Sequence, residues 1–321
     1  TRVRSSAASD VYKRQVEALA NTGYYDIRQL PSETAGEKAL AEGEVIFVLN
    51  IPPGFGRSVD RGEKPTVLMD ADATDPSAIG NATAALAAIT AALDRDLPPA
   101  LRAESASPPF NFELHARYNP EQLTVLNIVP GLICVVLIFS TLVITTLSIT
   151  RERERGTMEN LLAMPVRPVE VMLAKILPYV GIGYLQVVLI VTISAIVFHL
   201  PVRGSVLILS LALGLFIASN LALGFTFSTI ASNQMQAMQM AQFALLPSIM
   251  LSGFMFPFQG LPVWAQYIGE LLPITHALRI ARGVLLKGNG MADILPQLWP
   301  IAAFTLAAAA VAVACYRETL D

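Results

Sequence analysis

Four long runs without a charged side chain constrain this chain more than any other feature. They cover 122–150, 176–202, 204–269 and 294–316, which is 29, 27, 66 and 23 residues. A helix needs about 20 apolar residues to cross the hydrocarbon core, because lipid offers no partner to a free backbone N–H or C=O. Three of the runs each supply one crossing. The 66-residue run fits two, with material left over. Five spans are therefore expected, near 124–150, 169–198, 205–230, 237–256 and 294–316.

Charge is distributed to match. Residues 1–121 carry 12 Lys/Arg and 17 Asp/Glu, whereas the 200 residues after them carry 10 and 8. The front third reads as water-soluble and the rest as membrane. With 54% hydrophobic residues the chain is not disordered, and 15% charge is low for a soluble enzyme, where about a quarter is usual. The net charge of −3 offers no basic face for a nucleic acid. Cys134 and Cys315 sit inside apolar runs and form neither a disulfide framework nor a zinc pattern.

The left-over material, 253–275, reads GFMFPFQGLPVWAQYIGELLPIT. Pro257, Pro262 and Pro273, with Gly253, Gly260 and Gly269 between them, break any continuous helix. Trp264 and Tyr267 suit a membrane–water interface. Two readings stay open: a broken, re-entrant hairpin that includes Phe256, or a tight interfacial loop with aromatic anchors.

Basic residues orient the bundle. Arg151, Arg153, Arg155, Arg167 and Lys175 follow the first span, and Arg317 ends the last, so one side holds six. The other holds Arg203, Arg279, Arg282 and Lys287. The positive-inside rule places the first loop and the C-terminus in the cytoplasm and the front third outside.

In that front third, 44–52 and 65–72 are expected as strands, and 77–97 as a helix capped by Ser77. Residues 98–113 read as a linker. The whole stretch 16–121 is a small α/β domain by this pattern. Asp70, Asp72 and Asp75 lack the glycine and the distal acid of a calcium loop, so strand-end turn chemistry is the better account. No metal site is expected. The Asn81-Ala82-Thr83 sequon falls in the expected helix and is read as chance. Residues 1–15 contain SSAASDVYKRQ, which resembles a foreign junction; the alternative is an ordinary polar tail.

The loop after the first span reads RERERGTMENLLAMPVRPVEVMLAKILPY, 151–179. Alternating charges Arg151, Glu152, Arg153, Glu154 and Arg155 sit at the membrane exit, and Gly156 can bend the chain. Thr157 can cap a short helix with Met158, Leu161 and Leu162 on one face, ended by Pro165 and Pro168. Such a helix either docks into a partner groove or lies on lipid.

This segment resembles the permeases of the ABC type-2 exporter family, whose coupling region carries E-R-E-x-G-T-x-E-x-L-L and a proline turn. Glu152, Arg153, Glu154, Gly156, Thr157, Glu159, Leu161 and Leu162 match that pattern. The resemblance extends to Arg117-Tyr118-Asn119-Pro120, Val129-Pro130-Gly131, the turn at 233–238, the segment 251–283, and VLNIPPGF at 48–55, which is similar to the multidrug-type branch. It implies a mainly α-helical polytopic permease of six spans with a re-entrant hairpin. One span would lie before Val16, in keeping with the junction. The resemblance further implies a bacterial inner-membrane exporter of hydrophobic or amphipathic compounds such as drugs or lipid-like molecules. It implies no enzyme activity in this chain. ATP and Mg would be used by a separate ABC ATPase subunit, because the sequence has no G-x-x-x-x-G-K-[ST] phosphate loop. The other implied partners are a second permease half, the bilayer and a periplasmic adaptor. Arg151 through Pro165 would be the coupling segment, and the 253–273 hairpin would close the outer end.

Other residues have weaker claims. His115, His199 and His276 are isolated in sequence. Arg279 and Arg282 suit lipid headgroups or, alternatively, an anionic substrate. Met235, Met238, Met240, Met250 and Met255 could line a polyspecific pathway or pack between spans. An extracytoplasmic sensor or assembly protein tethered to the membrane is the competing function. An ion-coupled transporter fits less well, since the middle of each expected span is uncharged.

Overall fold

The computed structural model describes residues 28–61, 63–74, 79–80, 83–84, 111–121, 123–155 and 168–318. The junction at 1–15, Ser77, Asp75, Asn81 and most of the helix expected at 77–97 lie outside the described residues. The chain divides into two compact units, with the boundary between Leu123 and Thr124.

The first unit begins with α1, Glu33–Glu42, whose first turn is capped by the Ser32 hydroxyl accepting the Ala35 N–H at 3.2 Å. Then come β1, Phe47–Asn50, α2, Phe55–Asp60, β2, Thr66–Asp72, and β3, Asn111–Arg117. The sheet order is β1-β2-β3, with β1 antiparallel and β3 parallel to the central β2. Met69 and Ala71 on β2 are fully buried, against Leu49 on one side and Leu114 on the other.

β3 corrects the expected linker at 98–113, since Asn111, Phe112 and Glu113 belong to a strand. The sequence NFELHAR alternates apolar Phe112, Leu114 and Ala116 with polar neighbours, a period-two pattern hidden behind the proline-rich residues before it.

Asp70 lies within β2, almost fully buried, and the Arg117 Nε donates to it at 2.8 Å. Arg117 also reaches Glu37 on α1 at 2.9 Å, and the His115 ring sits 3.7 Å from Asp70. The hydrogen bond that Arg117 donates to Asp70, more than any other contact, raises the Arg117 pKa above the ordinary arginine value. Asp72 accepts both the backbone N–H and the hydroxyl of Thr74, at 3.0 and 2.7 Å, which is strand-end turn chemistry. Asn119 closes the next turn, accepting the Leu123 N–H at 2.9 Å.

Among the described residues of the second unit the regular elements are helices: α3, Thr124–Glu154; α4, Pro168–Phe198; α5, Val206–Ile230; α6, Gln234–Leu251; α7, Val263–Glu270; α8, Pro273–Arg282; and α9, Met291–Glu318. Among the described residues four helices are long and apolar enough to cross a membrane: α3, α4, α5 and α9. Where a fifth span was expected, at 237–256, α6 is a helix of 18 residues with Gln234, Gln236, Gln239 and Gln242 in its first half. Those amides keep it out of the apolar class.

α3 and α5 form the centre. In the apolar stretch of α3, 61% of the residues are buried, against 17% in α4 and in α9, so α3 is the inner helix and those two are peripheral. Ile133, Leu137 and Leu142 of α3 pack into one core with Leu213, Phe216 and Ile217 of α5 and Ile301 of α9. The backbones come close at Gly224 of α5. A Cβ there would stand 2.9 Å from the Leu142 carbonyl oxygen and 3.1 Å from the Thr145 Cβ. Small residues at helix contacts serve this purpose in membranes, where apolar burial does not by itself favour one helix partner over lipid.

Hydroxyls inside the helices bond back to their own backbone. Thr146 donates to the Leu142 carbonyl and Thr150 to that of Thr146, at 2.7 and 2.8 Å. Others cross between helices: Ser140 to Gln186 and Tyr179 to Ser148, both 2.7 Å, join α3 to α4, and Thr226 to the Ala308 carbonyl, 3.2 Å, joins α5 to α9.

The Asp70–Arg117 pair yields a prediction for the first unit. Arg117→Ala leaves a buried carboxylate without its cation and should destabilise this unit by about 2–3 kcal/mol. Hydrogen exchange of the β2 amides in the full chain would measure the loss. Adding Asp70→Asn should recover part of it, because the stranded charge is then gone.

Candidate functional site

Two clusters of sequence-predicted residues can be placed. The first is at the exit of α3. This helix does not stop where its apolar stretch ends at Ser148 but continues to Glu154. Arg151, Glu152, Arg153 and Glu154 therefore form its last turn, with Arg151 and Glu154 exposed. Gly156, Thr157, Met158, Glu159, Leu161, Leu162 and Pro165 lie outside the described residues.

Glu154 has a partner that its own motif does not announce. Its carboxylate accepts the backbone N–H of Gln234 at 2.6 Å and the side-chain amide of the same residue. Gln234 is the first residue of α6, and its N–H is one of the donors every helix start leaves free. The next donors are also served: Asn233 accepts the Gln236 N–H at 2.8 Å, and Gln236 reaches back to the Ser232 N–H at 2.8 Å. The Glu154 charge thus sits on the positive end of α6. The Gln234 amide, followed by the Gln234 backbone, holds the Glu154 carboxyl below the usual glutamate range. Sequence reading had singled out both the charged exit and the 233–238 turn, but not their contact. A polar residue directly after an Asn cap was the available signal.

The second cluster is the segment after α6. Gly253 has φ +83, a left-handed conformation that suits glycine and turns the chain sharply after α6. Phe256 is exposed, Pro257 precedes a single 3-10 turn at Phe258–Gly260, Pro262 precedes α7, and Pro273 opens α8. Each proline therefore stands where a helix begins and needs no donor of its own.

Arg279 ties these pieces together. Its guanidinium donates to both oxygens of Glu270, at 2.5 and 3.0 Å, and lies 4.6 Å over the Phe258 ring. His276 is buried beside it, 2.7 Å from Gln297 on α9 and 2.9 Å from the Glu270 carbonyl. Thr275 donates to the Gly269 carbonyl at 2.7 Å, and Arg282 to the Gly253 carbonyl at 3.5 Å. Glu270, Phe258 and Gln297 were not foreseen from sequence, because nothing local marks them. His115 and His276 are isolated in sequence but not in space.

Among the described residues no group of three or more His, Cys, Asp or Glu side chains is placed to hold a metal. Of the methionines, Met235, Met238, Met250 and Met255 are exposed on α6 and the turn after it. The two clusters lie at the two ends of α6: a charged contact at its first residue and a braced, proline-punctuated turn after its last.

The comparisons with known proteins agree on one family. The profile described as "ABC-2 family transporter protein" matches residues 3–314. The chain is 36% identical over 173 residues to the "Probable multidrug ABC transporter permease YbhS" of Escherichia coli strain K12, covering 54% of this chain and 46% of that one. It is 26% identical over 277 residues to the "Probable multidrug ABC transporter permease YbhR" of the same strain, covering 86% and 74%. It is 29% identical over 328 residues to that strain's "Inner membrane transport permease YhhJ", covering 98% and 85%. The match to YbhS thus spans about half the length of that relative. A profile match over nearly the whole chain, together with apolar helices long enough to cross a membrane, leaves a single conclusion: the chain belongs to the ABC-2 family of transporter proteins.

Proposed function

We propose that this chain is the membrane permease subunit of an ATP-driven exporter in a bacterial inner membrane, moving hydrophobic or amphipathic compounds outward. The observation that carries the reading is the grip of Glu154 on the head of α6. It joins the charged exit of the inner helix α3 to the start of α6, so a force applied at the 151–165 segment is delivered to two helices together. A separate ABC ATPase subunit, using ATP and Mg, would supply that force by closing on the segment. The names of the relatives, multidrug permeases and an inner-membrane transport permease, support this class. The movement required is a rigid-body shift of helices between inward- and outward-facing states.

On this reading α6 is a fifth span, the segment after it is a re-entrant hairpin that closes the outer end, the first unit is extracytoplasmic and the C-terminus is cytoplasmic. On this reading a second permease half covers one face of α6. Gln236, Gln239, Gln242, Phe243, Leu246 and Met250 are all exposed on it. Amides facing lipid lose hydrogen bonds they would keep against protein or water, so this face calls for a cover. The tethered-sensor reading explains neither the grip nor that face.

Replacing Glu154 and Glu159 with Ala tests the coupling role. In proteoliposomes with the ATPase subunit, transport-stimulated ATP hydrolysis should fall roughly ten-fold, within the usual range of coupling free energies. Unchanged stimulation would refute it. The lowered Glu154 pKa sets a pH dependence. A carboxylate depressed in the folded protein contributes fully above the ordinary glutamate value, about 4.3, and loses that contribution as pH falls through its own lower pKa. Protection of the Gln234 amide, measured as its exchange rate relative to an unstructured amide at the same pH, should therefore hold at and above the ordinary glutamate value and be lost only in stronger acid. For the second half, Gln242→Cys should form an intermolecular disulfide in membranes under mild oxidation. A purely monomeric product would argue against the paired arrangement.

A further inference from the structure

We propose that Phe254, seated on Gly131, is the joint through which α3 carries the outer hairpin. The inference rests on the permease reading above and assigns positioning roles to Gly131, which lies outside the coupling and gating segments, and to Phe254, a hairpin residue given no role there.

The contact is unusually close. Gly131 lies in the second turn of α3, and a Cβ added there would stand 2.1 Å from Cδ2 and 2.4 Å from Cε2 of Phe254. The ring therefore rests on bare helix backbone, in space that any side chain would fill. Pro130 precedes it inside the helix and has no N–H, so the Leu126 carbonyl lacks its ordinary helical donor. α3 is thus both narrow and bendable at the point where the ring sits.

Phe254 is itself held. Its N–H donates to the Ser252 hydroxyl at 3.2 Å, the Gly253 turn places it, and Arg282 reaches the carbonyl of Gly253. A Cβ on Gly253 would meet the Phe258 Cβ at 3.1 Å, so the turn before Phe254 is packed against the residue whose ring Arg279 covers. A displacement of Phe254 is shared by the Phe258–Glu270–Arg279 group.

The far end of the same helix completes the argument. Glu154 holds the first residue of α6, while Gly131 holds Phe254, three positions past the last residue of α6. α3 therefore grips one continuous segment at both ends, about 35 Å apart along its axis at 1.5 Å per residue. With both ends held, a push on the charged exit cannot be absorbed by sliding between α3 and α6. It arrives at the hairpin.

The test uses the full chain reconstituted with its ATPase subunit. Gly131→Ala should lower substrate moved per ATP hydrolysed by roughly ten-fold, the scale of an overpacked contact, with the ATPase still co-purifying. Combining it with Phe254→Leu, which returns the space, should restore most of the loss. A Gly131→Ala protein with normal transport per ATP, or a double variant no better than the single, would overturn the joint. An independent readout needs no altered joint. Spin labels at the exposed positions Ile128 and Trp264 should keep their separation, within about 3 Å, between nucleotide-free and ATP-trapped states. A larger change would mean that the hairpin moves on its own. Should the unaltered chain fail to bind or stimulate an ATPase, the permease reading falls, and the joint falls with it; failures confined to Gly131→Ala or the label pair leave that reading standing.

Discussion

Backbone satisfaction inside an apolar medium governs the second unit. Each helix must close its own hydrogen bonds, and what then remains to hold helices to one another is close packing and a few polar contacts. The approach of Gly224 to the Leu142 carbonyl brings α5 and α3 together backbone against backbone at the centre. The rest of the bundle is arranged around this pair. α9 lies along α5, α4 is held to α3 by Gln186 and Tyr179, and α6 is held by Glu154.

From that arrangement the candidate mechanism follows. An inner helix that is mostly buried along its apolar length and charged at its exit can transmit a displacement, because close packing resists compression. The polar contacts are placed where the apolar ones end. Glu154 lies six residues beyond the apolar stretch of α3, and the Arg279–Glu270 pair braces the segment between α7 and α8. Neither pair is deeply buried, so neither carries the desolvation cost that makes charges in a core expensive.

Much of this was legible from sequence. α3 begins where its span was expected, at Thr124, and α4 and α5 end at the expected Phe198 and Ile230. Glu121 and Pro120 mark the first of these ends, Pro201 the second, and the polar Ser232-Asn233 turn the third, which is why they can be read. The reading was less complete in the first unit. β3 was hidden because a seven-residue strand after a proline-rich stretch carries little signal of its own. The strands at β1 and β2 were recognisable from their β-branched runs and the turn residues that follow them. The α6 region was recognisable as helix, but its glutamines place it outside the apolar class that length and composition define.

Sequence by itself determined which segments can lie in a membrane, which cannot, and which family the coupling motif and hairpin resemble. Those are local properties: run length, charge, proline spacing, and the order of short motifs. Tertiary structure alone decided that Glu154 meets Gln234, 80 positions away, that Arg279 is committed to Glu270 and Phe258, and that Phe254 lies on Gly131. Such contacts depend on how two helices pack. A carboxylate, an amide or a phenyl ring can take many partners until that packing brings one of them within reach.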